Sequence, residues 1–164
     1  MFSKVILVSG FAIALSSVAL AETSPKFQAI SKQLVVSAEA AQVEEKSDDA
    51  MVLYERALVA NPSNVDALVG LARTHEILGS VGKGLKYYRQ ALEIEPDDTS
   101  ALEGQAVAFI KRDMTDRAKD NLDKLVKLCP EGCASLSIVE AAIADYDAKT
   151  AAKNDNADTP NPKS

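Results

Sequence analysis

The chain reads as an all-α stack of three helical hairpins closed by one more helix at its C-terminal end, on three grounds. Pro62, Pro96 and Pro130 recur every 34 residues, each after a stretch with helical apolar spacing. A repeat of that length marks stacked helix pairs. Laid over one another, the windows 31–64, 65–98 and 99–132 agree column by column: Leu34, Leu68 and Leu102; Ala38, Ala72 and Ala106; Ala50, Gly84 and Ala118; Tyr54, Tyr88 and Leu122; Ala57, Ala91 and Leu125. Within a window the core positions fall at i, i+4 and i+7, as in Leu102, Ala106 and Phe109, which is one stripe of a helix. A hairpin with such a stripe buries it only against the next hairpin, so the array needs about the three repeats it has.

These columns resemble the tetratricopeptide repeat family, whose pattern sets a large apolar residue, two small residues, an aromatic, an alanine and a proline at these places; the match runs over residues 31–132. The resemblance implies a right-handed superhelical stack of three hairpins with a C-terminal capping helix, and a concave groove lined by the first helix of each pair. Small residues such as Ala72, Gly84, Ala91, Ala106 and Ala118 let helices approach closely, while the rings of Tyr54 and Tyr88 fill the space between successive hairpins. The departures are Leu122 in the aromatic column, Gly84 where alanine would favour the helix by roughly 1 kcal/mol, and Ala41 and His75 where the family's first helix carries an aromatic, the place of Phe109. They read as drift between repeats.

Taken in order, Lys4 precedes an apolar run from Val5 to Leu15, and Ala19-Leu20-Ala21 sets small residues where a signal peptidase reads them. Residues 1–21 therefore read as a secretory signal peptide, and the expected location is periplasmic or secreted, with no stable membrane span once the leader is cleaved. Residues 22–150 form the repeat domain. Ser24 and Pro25 supply a hydroxyl N-cap and a proline at the first helical position. Phe27, Ile30, Leu34, Ala38 and Ala41 carry one stripe to about Val43, a first helix longer than its counterparts. Glu44 to Asp49 makes the turn into the second helix, and Gly79-Ser80 with Gly82 does the same in the middle repeat. Residues 134–149 form the capping helix, with Leu136, Val139, Ala142, Ile143 and Tyr146 at helical spacing. The composition of residues 151–164 cannot bury a core and predicts a disordered tail.

The one cluster with chemistry of its own is Cys129-Pro-Glu-Gly-Cys133, between the third hairpin and the capping helix. Two cysteines in an exported chain suggest a disulfide, and Pro130 with Gly132 can bend the backbone enough to close it. A strained small-loop bridge could also serve a redox role. A dithiolate suits copper(I), but the sole histidine, His75, falls near the end of a first helix and Cys129 at the end of a second, at the opposite edge of the stack. No metal site follows. His75 itself occupies a packing column, no serine has a histidine at a plausible place, and Asp48-Asp49 and Asp97-Asp98 fall in turns. No catalytic residue and no cofactor are expected.

What remains is the groove. Side chains one position beyond each core column should face it: Val35, Glu39 and Gln42; Val69, Arg73 and Glu76; Glu103, Val107 and Ile110. The family's chaperone-binding members hold a terminal carboxylate with lysines, an arginine and asparagines. At the matching places stand Val35, Glu39, Gly70, Ser100 and Gly104, so that clamp is absent. The net charge of -6, with no basic stripe, argues against nucleic acid. These observations describe a non-enzymatic adaptor or assembly factor that binds a protein or peptide, either an extended segment or an apolar helix face. A self-associating homo-oligomeric scaffold and a thiol-active accessory protein for envelope disulfide or metal-centre assembly are the alternatives.

Overall fold

Seven helices follow one another in a computed structural model that describes residues 23–157: α1 (Pro25–Val43), α2 (Ser47–Ala60), α3 (Val65–Ile77), α4 (Val81–Ile94), α5 (Thr99–Ile110), α6 (Thr115–Leu128) and α7 (Ala134–Ala157). No strand occurs among the described residues. α1 packs on α2, α3 on α4 and α5 on α6, and each hairpin then stacks on the next, with α7 lying across α5 and α6. The signal peptide expected at 1–21 lies outside the described residues.

The 34-residue period reappears in the backbone. Glu45, Gly79 and Asp113 are one period apart, and all three take positive φ, at 61°, 76° and 57°. Each lets the chain double back, and the next residue's N–H closes the turn: Lys46 to the Ala41 carbonyl, Ser80 to His75, Met114 to Phe109. This is a left-handed helix ending that normally calls for glycine, and only the middle repeat supplies one. The turn into α2 is shorter than the acidic stretch suggested, because Ser47, Asp48 and Asp49 already form the first turn of the helix, where carboxylates favour the helix dipole. The side chains of Asn64 and Asp98 cap α3 and α5 by accepting from the Ala67 and Ala101 N–H groups. Ser24 does sit at the N-cap of α1 with Pro25 behind it, but its hydroxyl makes no capping bond.

The core is continuous but falls into three clusters. Val35, Ala38, Ala50, Tyr54, Ala57, Ala67 and Leu71 join the first hairpin to α3; Tyr88 and Ala91 join α4 to α3 and α5; Leu102, Phe109, Leu125, Val139 and Ile143 seat α7 on the last hairpin. Gly84 is no drift. A Cβ there would come 2.9 Å from the Ala72 carbonyl oxygen, so α4 lies too close to α3 for a side chain, and the helical preference for alanine is overridden by contact.

Two further expectations need correction. The stripe of α1 does not begin at Phe27: Phe27 and Ile30 are exposed, and burial starts at Ser31. Ser31 donates to the carbonyl of Ala57, three residues from the end of α2, so the first turns of α1 overhang their partner helix. α7 does not stop at Lys149 but continues to Ala157, taking in the start of the segment read as a tail. Residues 151–153 are exposed there. Lack of core-forming side chains rules out burial, not the extension of a helix already nucleated upstream.

Candidate functional site

The first helices α1, α3 and α5 lie side by side, and the surface they share with α7 holds two adjoining cavities. Their floor is made by tyrosines of the second helices. The Tyr54 ring occupies the notch at Gly70, and the Tyr88 ring occupies the notch at Gly104; a Cβ on either glycine would overlap the ring. Each ring thus passes from the second helix of one hairpin to the first helix of the next, sixteen residues on, and presents its hydroxyl to the cleft. There Tyr54 donates to Gln42 Oε1 at 3.1 Å and Tyr88 donates to Glu76 Oε1 at 2.7 Å. Burial, aided by the nearby Glu39 carboxylate, pushes the Tyr54 hydroxyl up to about 12. Burial and then the Glu76 hydrogen bond push Tyr88 well above the tyrosine range. Both stay protonated donors at any ordinary pH.

The first cavity, 170 Å3, is polar. Glu39, Asp66 and Asp98 bring three carboxylates and Arg73 one cation, with Gln42 and Ser100 beside them. Gln42 is itself tied down, donating to Thr74 Oγ1 at 2.7 Å, and Thr74 donates on to the Gly70 carbonyl. The second cavity, 370 Å3, has an aliphatic wall of Ile77, Val107 and Ile138. Its acids are already engaged. Glu76 binds Lys111 Nζ at 2.7 Å, and Glu103 accepts from Arg73 at 3.3 Å and from the Ser135 hydroxyl of α7 at 2.8 Å. The Arg73 and Lys111 side chains remain about half exposed at the rim.

Of the residues expected in the groove, Glu39, Gln42, Val69 and Arg73 line the first cavity, and Arg73, Glu76, Glu103 and Val107 line the second. Val35 does not face it. Only 6% exposed, Val35 is packed with Ala38, Tyr54 and Leu71, because α1 touches both α2 and α3 and its buried face is wider than one stripe. Ile110 is half-buried against the cluster that seats α7, which removes it from the open cleft. Asp66, Asp98, Ile77, Lys111 and Ile138 were not foreseen. Ile138 was discoverable: it stands in the column of Gly70 and Gly104, where an isoleucine on the last helix leaves an apolar face.

The sulfurs of Cys129 and Cys133 meet, with their Cα atoms 5.7 Å apart, within the normal span of a disulfide. Cys129 ends α6 and Cys133 precedes α7, so the pair stands at the junction of the two helices. His75 is 7% exposed and stacks on Tyr87 at 5.4 Å with the rings 5° from parallel. Burial, with Lys83 nearby, lowers its proton affinity below the usual histidine value. No group of three or more metal-ligating side chains occurs among the described residues, and no helix there is long and apolar enough to cross a membrane.

Helical hairpins repeating at one 34-residue period, stacked through small residues and bridging tyrosines, define an all-α repeat protein with a side-chain-lined cleft. The fold is that of the tetratricopeptide repeat. It resembles the Sgt2 repeat domain from Aspergillus fumigatus, with a TM-score of 0.70 and 20% identity over 87% of this chain and 91% of that one. It also resembles the first repeat domain of Spaghetti (RPAP3) bound to the HSP90 peptide SRMEEVD, with a TM-score of 0.64 and 18% identity over 71% of this chain and 98% of that one. For the MamA protein the TM-score is 0.56 at 18% identity, and the chain spans 55% of that protein's length. No family model and no curated protein sequence matches the chain.

Proposed function

We propose that the protein is an exported, non-enzymatic adaptor that holds an extended segment of a partner protein in the cleft between α1, α3, α5 and α7. The observation that carries this reading is the aliphatic cavity of Ile77, Val107 and Ile138, whose two partly buried acids, Glu76 and Glu103, are already paired, set beside a polar cavity. An apolar anchor side chain enters the first of these and gains most of its energy from leaving water. A structure of the same fold was solved with a bound peptide, which agrees with use of such a cleft. That peptide ends in acidic residues, whereas three carboxylates line the polar cavity here, so the segment held by this chain is of different charge.

A photo-crosslinking residue at Ile77, which is 65% exposed beside the apolar cavity, tests the reading in cells, with the exposed Lys153 of α7 as control. A discrete heterologous adduct from Ile77 and none from Lys153 is the expected outcome. Adducts only between copies of the chain would replace the adaptor with a self-associating scaffold, and equal adducts at both sites would remove the groove from consideration.

Export rests on Lys4, the apolar run from Val5 to Leu15 and the Ala19-Leu20-Ala21 motif. In that setting the Cys129 and Cys133 pair acts as a staple between α6 and α7. The intact mass of the protein recovered from the cell envelope should correspond to a chain starting at Glu22 and lacking two hydrogens relative to the dithiol. A chain that retains its first residues, or that takes up alkylating reagent without reduction, would count against it.

A further inference from the structure

On α5 the groove is lined by Glu103, Gly104 and Val107, whereas Gln105 and Phe109, each roughly 200° round the helix from a groove residue, face another cavity. This cleft of 250 Å3 lies between α4 and the α5–α6 turn, over Leu85, Phe109 and Met114. Lys86 and Arg89 of α4 line one side, Arg112 and Arg117 the other, and no carboxylate lines it. The Arg117 guanidinium lies over the Phe109 ring, 4.3 Å from its centroid, which holds it at the cleft wall. Arg89 reaches only Glu93, at 4.0 Å and with both side chains 67% exposed. Lys86, Arg112 and Arg117 form no ion pair among the described residues.

The repeat supplies its own control. One period earlier, at the junction of the first two hairpins, the places of Lys86, Arg89, Arg112 and Arg117 are taken by Val52, Glu55, Leu78 and Lys83. The same packing is therefore built there with one cation and one anion, and the fold does not require four cations at this position. Their mutual repulsion is unfavourable, and an anion between them relieves it. Elsewhere the chain is acidic, with a net charge of -6 overall, so a long polyanion is repelled by the surrounding surface while a compact one is not. Guanidinium groups present paired N–H donors that match phosphate oxygens, and a phosphate monoester near neutral pH carries close to two charges where a carboxylate carries one.

We propose that this cleft is a binding site for a compact phosphate-bearing anion, held by Lys86, Arg89, Arg112 and Arg117. The site is independent of the groove and of any partner bound there. Its ligand is a soluble phosphate ester or the phosphate of a lipid headgroup, two sources with one recognition chemistry.

The test uses the full mature chain and inorganic phosphate, followed by amide chemical shifts and by melting temperature against chloride at equal ionic strength. Saturable shifts confined to residues around Arg89, Arg112 and Arg117 are expected, with affinity falling about tenfold for each of Arg89→Gln and Arg112→Gln. Both are surface changes outside the core, and Lys124→Gln with Lys127→Gln on α6 should leave the affinity unchanged. Loss of binding in that control pair, or a melting response equal to that in chloride, means general charge screening and overturns the proposal. Shifts produced by an acidic peptide but not by phosphate also overturn it, in favour of a carboxylate partner. Sedimentation with vesicles containing phosphatidylglycerol but not with phosphatidylcholine alone, lost in Arg112→Gln, assigns the phosphate to a lipid; phosphate binding without vesicle binding assigns it to a soluble ester.

Discussion

The joints between hairpins are not built alike. At the first two, a tyrosine of one hairpin fills a glycine notch in the next, Tyr54 in Gly70 and Tyr88 in Gly104, and the hydroxyl comes through to the cleft. At the last, the corresponding places hold Leu122 and Ile138, and the position that supplied the hydroxyl's acceptor, Gln42 and then Glu76, is Ile110. Three columns change together. Without a hydroxyl to bind, the acceptor has no use and an apolar side chain goes into the core; without a ring to admit, the glycine gives way to a side chain that forms part of the cleft wall. This linked substitution supplies Ile138 to the aliphatic end of the groove, where it joins Ile77 and Val107.

The largest expected effect is at the tyrosine joints. Gly104→Ala gains roughly 1 kcal/mol of helical preference but drives a Cβ into the Tyr88 ring, and overpacking of about 1–3 kcal/mol or more should win. A net loss of about 2 kcal/mol in denaturant unfolding is expected, and adding Tyr88→Leu should recover part of it, a coupling that additive substitutions would not show. Ile138→Ala at the corresponding place of the third joint, where the side chain is 45% exposed, should cost less than about 1 kcal/mol. If Gly104→Ala and Ile138→Ala cost the same, the joints are equivalent and the comparison fails.

A smaller effect separates the same two regions by pH. His75 and Phe109 occupy one column, the first depressed in proton affinity by burial. A histidine whose folded value lies below its unfolded one near 6.5 contributes stability above that pH, and the contribution is lost as pH falls further. Between about pH 7.5 and pH 5 the melting temperature should drop more in the native chain than in His75→Phe, which copies the third repeat. Parallel curves would show that His75 takes up its proton in place.

Most of the architecture was legible in the sequence because the 34-residue columns lie within single repeats and share one register. The turns at Glu45, Gly79 and Asp113 were less so, since two of the three lack the glycine that marks such a turn. The cleft was half legible. Glu39, Gln42, Arg73, Glu76, Glu103 and Val107 line it as expected, while Val35 is buried because the neighbour one step round the helix still falls inside a contact face shared with two helices. The pairing of Tyr54 with Gly70 and of Tyr88 with Gly104 crosses a repeat boundary, so reading down columns finds each member and misses the bond between them. Gly84 was legible as a small residue for close helix approach, but its departure from alanine was taken for drift, because the carbonyl that excludes a side chain there belongs to another helix.

One consequence follows from the position of α3. It touches α1, α2, α4 and α5, and nine of its thirteen residues are buried. Its amides should be among the last to exchange with deuterium, since they open only when flanking hairpins part. Arg73, Glu76 and Ile77 project from this same helix into the cleft. A partner docking there would meet an element held by four neighbouring helices, and little ordering entropy would remain for it to remove from the protein.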